Sequence, residues 1–474
     1  MPRKAMPKAA AGVRLPSLPP EIWHMVCSYL DTADVPSFRQ TCQGFAHLGQ
    51  PFALPEIVLY LHQSDFKNLR VLADHPVKSK YVRSLIFVPH TLPDPKLTFD
   101  QFVRKYHHRE KINMFTNTAS RYGGHSTRPF NRRQLREYYA AYEDALRQQT
   151  EILQQHLDFA CLADVLPKLT NLRKIMVSVG NWHRERLPDS ASDPFNGTMQ
   201  RPFSYLQPSG YRAMVAVVDG LKGCESKLSS FEGGTFSWKF VEQLPPPDLF
   251  SSLTNLAFDF EVHELDPDPN FYVPDTGVPE CRALLARGGL RDFLAGLPCL
   301  ESLSISFMLN ADTMDIDYPA RLEDIIKADH RWPRLRSLSL GDIEVKTQEI
   351  IDTLTLHQDT LRRLELHDIR LSTSWLTFLP EVSELLELDE ASIWGDIYGA
   401  RQPVLGPGLV WVEHWDMGEP HLWPDDSFRT DLGAYLVNGG TCPLNHHNQG
   451  TRLSPGYDPF SLGLASLLGL GNLF

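Results

Sequence analysis

Apolar residues near the N-terminus of the chain recur at the spacing of an amphipathic helix. Ile22, Val26 and Leu30 repeat every four residues, and this stripe follows Pro19 and Pro20. Proline suits the first turn of a helix because the N–H groups there have no intrahelical acceptor. After a polar break, a second short helix is predicted by the apolar positions Val35, Phe38 and Cys42. A unit of about 40 residues seldom folds without a metal, a disulfide or a partner, so we expect this apolar surface to dock onto another protein.

A second apolar pattern, Leu-x-x-Leu-x-Leu, recurs in the rest of the chain. Its two clearest copies begin at Leu335 and Leu361 and align at an offset of 26 residues, within the range of about 20–29 residues that leucine-rich repeats show. Between them, residues 347–357 carry apolar side chains at mostly helical spacing. Each unit is therefore predicted to be a strand, a loop and a helix, and such units bury their apolar faces only by stacking into one core. The alternative is an ordinary α/β sheet in which the leucines recur by chance.

Weaker copies of this pattern extend the predicted fold. They lie at residues 172–177, 253–258, 300–305 and 386–393. An apolar stripe from Arg132 to Leu166 predicts one long helix or two nearly collinear ones. The predicted fold class is α/β, with an N-terminal helical unit followed by an irregular leucine-rich-repeat solenoid of strand–loop–helix units with inserted loops. The expected division is a flexible tail (1–13), the helical unit (14–55), the repeat domain (56–445) with insertions at 91–131, 187–210, 262–281 and 402–426, and a C-terminal tail (446–474).

Composition narrows the class of protein. The formal net charge of −12 argues against a general nucleic-acid binder, because phosphate contacts need a basic face. The seven cysteines form no Cys-x-x-Cys pair, which favours reduced thiols in the cytosol or the nucleus. The basic first ten residues lack the apolar stretch of a signal peptide, and no apolar run reaches the 18 residues of a membrane span. We therefore expect a globular protein of the cytoplasm, the nucleus or both.

Residues 15–48 resemble an F-box, the motif that attaches a subunit to the Skp-family adaptor of cullin-based ubiquitin ligases. The resemblance rests on the ordered pattern L-P-S-L-P-P-E-I-x3-V-x3-L-x3-D-V-x2-F-x3-C-x2-F-x2-L. It implies that the residues facing the adaptor are Leu18, Pro19, Ile22, Val26, Leu30, Val35, Phe38 and Cys42. Two positions depart from the family pattern: Pro36 replaces an aliphatic residue and Phe45 replaces a common Trp. The alternative is a helical hairpin that packs on the rest of the chain.

Beyond this motif, the chain resembles fungal F-box proteins with leucine-rich C-terminal domains. The similarity rests on the Leu-Pro junctions at 166–167 and 297–298 and on the segment 432–443, and it is specific only within the F-box. It implies a non-catalytic, substrate-recruiting subunit of a Skp-cullin-F-box ubiquitin ligase. Its expected partners are the Skp-family adaptor, the cullin bound to that adaptor and a protein substrate, with no nucleic acid and no membrane. The alternative is a non-ligase scaffold that binds the adaptor without directing ubiquitination.

A search for catalytic or cofactor motifs finds none. The sequence contains no GxSxG, P-loop, GxGxxG or HExxH pattern. The group from Cys442 to His447 lacks the second cysteine pair of a zinc site, and the acids Asp312, Asp315 and Asp317 lack the spacing of a calcium loop. We therefore predict no cofactor, no metal and no enzymatic activity. An enzyme carried on a repeat-like α/β domain remains a third interpretation that no motif supports.

Strand side chains alternate between two faces, so the residues between the buried leucines are expected on the open face of the repeat domain. The candidate substrate-facing residues are Ser337, Ser339, Arg363, Glu365, His367, Glu387 and Asp389, and the same alternation adds Lys174, Met176, Ala257, Asp259, Ser302, Ser304 and Ser306. Most of these side chains are hydroxyl groups and acids. Recognition of a phosphorylated target usually requires clustered arginines, so this composition argues against such a target. The alternative is a solvated sheet face without a ligand. Several of the nine tryptophans lie toward the C-terminus, where we expect them to cap the last repeat.

Overall fold

Three short helices precede a twelve-stranded sheet in the computed structural model of the chain. The structure describes residues 18–30, 34–52, 56–92, 96–106, 130–177, 195, 209–224, 227–262, 277–308, 318–403, 409–417 and 427–445. The candidate metal groups weighed above, 442–447 and 312–317, fall partly or wholly outside these ranges, as do the tails 1–13 and 446–474.

The N-terminal helical unit comprises α1 (Pro20–Ser28), α2 (Val35–Gln40) and α3 (Gln43–Leu48). Pro19 is the N-cap of α1 and Pro20 opens it, as predicted. Pro36 lies in the first turn of α2, where its missing N–H removes no hydrogen bond. Cys42 caps α3, because its Sγ accepts a hydrogen bond from the backbone N–H of Phe45 at 3.4 Å. Each helix start therefore follows from the residue that occupies it.

Aromatic rings form the interior of this unit. The ring centroid of Phe45 lies 4.3 Å from that of Phe38 and 4.6 Å from that of Trp23. Cys27 and Val35 are each only 1% exposed. Trp23 and Cys27 therefore mark the inner side of α1, and His24 packs on the ring of Phe52 with centroids 4.7 Å apart.

The sheet follows the order of the chain. Its strands are β1 (Glu56–Tyr60), β2 (Ser84–Val88), β3 (Lys174–Val177), β4 (Ser230–Ser237), β5 (Asn255–Glu261), β6 (Ser302–Met308), β7 (Ala320–Arg321), β8 (Ser337–Val345), β9 (Arg363–Leu371), β10 (Glu390–Trp394), β11 (Asp396–Pro403) and β12 (Leu409–Asp416). Consecutive long strands pair in parallel from β1 to β9, and β7 adds to β8. Strands β10 and β11 both pair with β9 in parallel, and β12 closes the sheet antiparallel to β11.

Helices lie between the strands. They are α4 (Gln63–Ala73), α5 (Phe99–Tyr106), α6 (Arg132–Gln154), α7 (Leu157–Val165), α8 (Ser209–Leu221), α9 (Gly277–Leu285), α10 (Gly289–Ala295), α11 (Leu322–Ile325), α12 (Thr347–Leu356), α13 (Trp375–Leu385) and α14 (Ser427–Asn438). The segment 132–166, predicted as one long helix or two nearly collinear ones, forms the two helices α6 and α7. Gln155 and His156 separate them, and His156 adopts a left-handed conformation with φ of 51°. None of the helices in the described ranges is both long enough and apolar enough to cross a membrane.

One continuous apolar core joins the strands to the helices that connect them. Leu338 and Leu340 of β8, Leu364 and Leu366 of β9, and the helix residues between these strands all belong to it. Those helix residues are Ile350, Ile351 and Leu354. The leucine pattern predicted this arrangement, because units with one apolar face are stable only when neighbours share a core.

The strand register agrees with the offset seen in the two clearest repeats. Leu338 pairs with Leu364 and Leu340 pairs with Leu366. Regular structure also lies inside two of the predicted insertions. The predicted insertion 402–426 contains β12, and the predicted insertion 91–131 contains α5. In both segments a short apolar and aromatic stretch forms regular structure despite polar neighbours.

The break between α6 and α7 is joined to α8 by a buried ion pair. Arg212 donates from Nε and Nη2 to the two carboxylate oxygens of Asp158, both at 2.8 Å, and Asp158 is 1% exposed. Arg212 also donates to the carbonyl oxygen of Leu153 at 3.2 Å and lies over the ring of Phe159. A bidentate geometry with further hydrogen bonds is what a buried pair needs to offset its desolvation cost.

We predict that Arg212→Met lowers the free energy of unfolding by about 3–5 kcal/mol, because it leaves the Asp158 carboxylate buried without its cation. Urea denaturation of the purified chain measures the change. The control is Arg133→Met, which removes an exposed ion pair with Glu137 and should cost less than about 1 kcal/mol. Equal effects of the two substitutions would contradict the role assigned to Arg212.

Candidate functional site

The outer side of α1 presents a row of exposed apolar side chains. Leu18 and Ile22 are 40% exposed, Val26 is 38% exposed, and Met25 and Tyr29 are exposed still further. Ile22 and Val26 are spaced by four residues and share one side of α1, and Leu18 lies just before the N-terminus of this helix. Fully burying a side chain of this size contributes about 1.5–3 kcal/mol, and a contiguous exposed apolar patch marks an interaction site.

A second candidate surface is the polar face of the sheet, on which lateral neighbours form rows across the strands. One row contains Asp259, Ser306, Gly341, His367 and Trp394 of β5, β6, β8, β9 and β10. A second row contains Glu232, Ala257, Ser304, Ser339, Glu365 and Ser392. A third contains Ser230, Asn255, Ser302, Ser337, Arg363 and Glu390. Parallel strands in register thus bring together residues that are far apart in the chain.

This face changes character along the sheet. On β2 and β3 it is apolar and closed, since Ile86 and Met176 are each 5% exposed and Val88 is 2% exposed. On β5 to β9 it is polar, and most of its side chains are half-buried or exposed. The part on β5 to β9 is therefore the region of the face available to a partner.

His367 lies at the centre of a polar network on this face. Its ring stacks on that of Trp394 with centroids 4.1 Å apart and planes at 7°. A Cβ atom on Gly341 would lie only 1.8 Å from this ring, so the imidazole needs a glycine beneath it. Its Nδ1 is 3.3 Å from Asp368 Oδ2 and 3.9 Å from Asp342 Oδ2. Burial lowers the pKa of His367, but the hydrogen bond to Asp368 and the charges of Asp342, Asp368 and Glu365 outweigh it and raise the pKa.

The two aspartates beside His367 occupy equivalent positions in the two clearest repeats. Asp342 and Asp368 both have left-handed backbones, with φ of 55° and 51°. Asp342 accepts a hydrogen bond from Ser306 Oγ at 3.0 Å, and Asp368 accepts one from the backbone N–H of Asp396 at 2.9 Å. With His367 they form a group whose ligand atoms lie within 4.8 Å of one another, a donor set that suits a divalent cation. The raised pKa of His367 favours its protonated form, and the protonated ring itself places a positive charge beside the two carboxylates.

Two other carboxyl groups of this face have no hydrogen-bond or ion-pair partner among the described residues. Asp259 and Glu261 are half-buried neighbours on β5. Burial raises the pKa of Asp259 to about 6, with Glu365 adding to the shift and His367 opposing it. Burial raises the pKa of Glu261 to about 7. Both groups are thus poorly solvated as carboxylates.

Comparison with known proteins bears on the N-terminal unit. A family model described as F-box domain matches residues 15–49. The chain contains an F-box domain. This domain implies binding to a Skp-family adaptor in Skp-cullin-F-box complexes, whose F-box subunits are generally non-catalytic. No curated protein matches the chain.

The structure distributes the predicted adaptor-facing residues of the F-box over its surface and its interior. Leu18, Pro19, Ile22, Val26 and Cys42 are exposed, and Leu30 and Phe38 are half-buried. Val35, the first residue of α2, is buried inside the unit instead of lying on its surface. Met25 and Tyr29 belong to the exposed patch but were missed as contact residues, although their position beside the stripe could have indicated them. Which of these residues contact the adaptor stays a prediction.

The predicted substrate-facing residues fall into two groups. Ser337, Ser339, Arg363, Glu365 and His367 lie on the polar face, as the alternation predicted. Glu387 and Asp389 do not lie on a strand, because Leu388 takes the place of Leu361 in its repeat and β10 begins only at Glu390. Trp394, which the sequence reading expected in a C-terminal cap, lies on the face, whereas Trp375 and Trp415 are fully buried. Glu261 was missed, although it continues the alternation from Asp259 by two residues.

We predict that Asp259→Asn combined with Glu261→Gln stabilises the folded chain at pH 8. The folded pKa of each acid lies above its unfolded value near 4, so the folded state binds more protons and loses stability as pH rises from about 4 to about 7. The expected gain is on the order of 2 kcal/mol at pH 8 and mostly disappears at pH 4.

Urea midpoints at the two pH values measure this gain. The control is Glu387→Gln with Asp389→Asn, which changes the charge equally at exposed positions and should shift stability by less than about 0.5 kcal/mol. A loss of stability at pH 8 in the first variant would show that the two carboxylates have favourable partners.

Proposed function

We propose that this chain is a substrate-recruiting subunit of a Skp-cullin-F-box ubiquitin ligase. The F-box would bind the Skp-family adaptor through the exposed face of α1, and the sheet domain would bind a protein substrate. The observation that carries the proposal is the exposed stripe of Leu18, Ile22 and Val26 inside the segment that matches the F-box model. An apolar stripe that the chain leaves uncovered gains most when a second polypeptide removes it from water.

The substrate-binding part of the proposal rests on the architecture of the sheet. We interpret residues 56–445 as a leucine-rich-repeat coil, as the sequence pattern predicted. Strands in chain order, parallel pairing and a core shared with the connecting helices support this interpretation. Such coils present one continuous sheet face, and the polar half of that face on β5 to β9 is the surface we assign to the substrate.

The proposed mechanism is proximity. The chain would hold a lysine of the substrate near the ubiquitin carried by a cullin-bound conjugating enzyme, and a tethered reaction gains from its effective concentration. No acid, base or nucleophile of this chain takes part in the transfer. In this mechanism the adaptor connects the chain to the cullin, and the chain brings its substrate to the cullin-bound enzyme.

We expect Leu18→Ala combined with Ile22→Ala to abolish co-purification of the Skp-family adaptor, because the two substitutions remove the central apolar contacts of the stripe. Pull-down from cells and far-ultraviolet circular dichroism together separate lost binding from lost folding. The matched control is Val71→Ala with Val77→Ala, which removes exposed apolar side chains outside the F-box. Full adaptor binding by the first pair would remove the basis of the proposal.

A second experiment distinguishes a ligase subunit from a non-ligase scaffold. Proximity labelling with the wild-type chain and with the Leu18→Ala, Ile22→Ala variant, both under a blocked proteasome, identifies proteins that accumulate near the chain. A ligase subunit is expected to co-precipitate the cullin and to label ubiquitinated proteins in an F-box-dependent manner. Adaptor binding without cullin, or without any F-box-dependent ubiquitination, would establish the scaffold instead.

A further inference from the structure

The polar half of the sheet face has the shape of a shallow trough. We define the open face as Asp259, Glu261, Ser304, Ser306, Ser339, Gly341, Glu365, His367 and Trp394. The middle strands β6 and β8 contribute Ser304, Ser306, Ser339 and Gly341. The His367 ring lies over Gly341, the Asp342 carboxylate reaches Ser306, and Met308 of β6 lies beside Glu261. On one side β5 contributes Asp259 and Glu261, and on the other side β9 and β10 contribute Glu365 and the stacked pair of His367 and Trp394. An extended chain fits such a trough.

Several other acids that the fold partly or fully buries have partners. Asp158 pairs with Arg212, Glu344 accepts a hydrogen bond from Arg282 at 2.8 Å, and Glu232 forms an ion pair with Lys174 at 2.7 Å. Glu365 accepts a hydrogen bond from the indole N–H of Trp394 at 2.8 Å.

The two carboxyl groups on β5 differ from these paired acids. Within the described ranges, Asp259 and Glu261 have neither a hydrogen bond nor an ion pair. The charged groups that act on Asp259 are His367, which is already engaged with Asp368, and Glu365, which repels it. A carboxylate removed from water without a partner costs stability, so a cation supplied from outside would gain an interaction that the described residues do not provide.

The segments that follow β5 and β6 in the chain are acidic and contain no Lys or Arg. The segment 263–276, which follows β5 in the chain, contains Glu264, Asp266, Asp268 and Asp275 and no Lys or Arg. The segment 309–317, which follows β6, contains three aspartates and again no Lys or Arg. Neither segment that continues these strands can therefore supply a Lys or Arg to Asp259 or Glu261.

We propose that the open face binds an extended basic segment of the recruited protein, with Lys or Arg side chains paired to Asp259 and Glu261. This inference rests on the proposed function and names the chemistry of the substrate. Charge complementarity selects a basic protein segment, since nucleic acid would be repelled by the same carboxylates. The flat ring of Trp394 offers a guanidinium or ammonium group an aromatic surface at the far side of the trough.

The test uses the full chain co-purified with its Skp-family adaptor and three fluorescent peptides of twelve residues. The first alternates Arg and Ser, the second alternates Glu and Ser, and the third alternates Gly and Ser. Fluorescence anisotropy at about physiological ionic strength, where surface charges are screened beyond about 8 Å, gives the affinity of each. We expect the Arg peptide to bind, and the Glu and Gly peptides to bind at least about tenfold more weakly.

Two double variants locate the binding. Asp259→Asn with Glu261→Gln should weaken the Arg peptide at least about tenfold, because it removes the two unpaired carboxylates without changing side-chain size. Glu387→Gln with Asp389→Asn changes the net charge by the same amount outside the rows and should leave the affinity within about twofold. Thermal unfolding of both variants verifies that they are folded.

The outcomes separate this inference from the proposed function. Equal binding to wild type and to the β5 variant would mean that the peptide follows the overall charge of −12, and it would overturn the inference. Absence of Arg-peptide binding would overturn it as well. Either result leaves adaptor binding and F-box-dependent ubiquitination untouched, whereas loss of those two activities alone would overturn the proposed function and leave a basic-segment site.

Discussion

The shared apolar core of the sheet domain is the constraint on which the rest of this structure depends. Side chains alternate between two faces along a strand. In β8 and β9 two alternating leucines are buried before the left-handed residues Asp342 and Asp368, and apolar residues are buried again after them. Burial of this set determines the strand register, because a slip of one residue would turn each leucine to the opposite face. The positions of Glu365 and His367 on the polar face follow from that register and from no interaction of their own.

The F-box solves a different packing problem. Its interior is a cluster of three aromatic rings and two small apolar residues, which is enough to hold three helices but covers only one side of α1. The uncovered side keeps the stripe of Leu18, Ile22 and Val26 in contact with water. One apolar side of α1 is buried inside the unit, and the other is exposed to water. A binding partner that covers the exposed side would bury it as well.

On the polar face, the proposed binding groups are not the groups that stabilise the fold. In the network of His367, Asp342 and Asp368, the imidazole lies beside two carboxylates, so charges of opposite sign are close together. The carboxyl groups of Asp259 and Glu261 are held away from water with no such compensation in the described residues. Natural proteins keep groups of this kind where function requires them, since selection acts on binding as well as on stability.

Much of this could be predicted from the sequence, because the responsible patterns are local. The helical stripe around Ile22, the repeat offset between Leu335 and Leu361 and the open-face position of Glu365 each depend on the period of a helix or a strand, and each appears in the structure. The placement of Val35 in the interior, of Trp394 beside His367, and of Glu387 and Asp389 before their strand was decided only in three dimensions. The spacing of apolar residues along a helix or strand predicts which residues share a face. Where a strand starts, and which residue lies beside it on the next strand, depends on packing between segments that are distant in the chain. The surroundings of Asp259 and Glu261, which have no hydrogen-bond or ion-pair partner among the described residues, were likewise decided only by the tertiary structure.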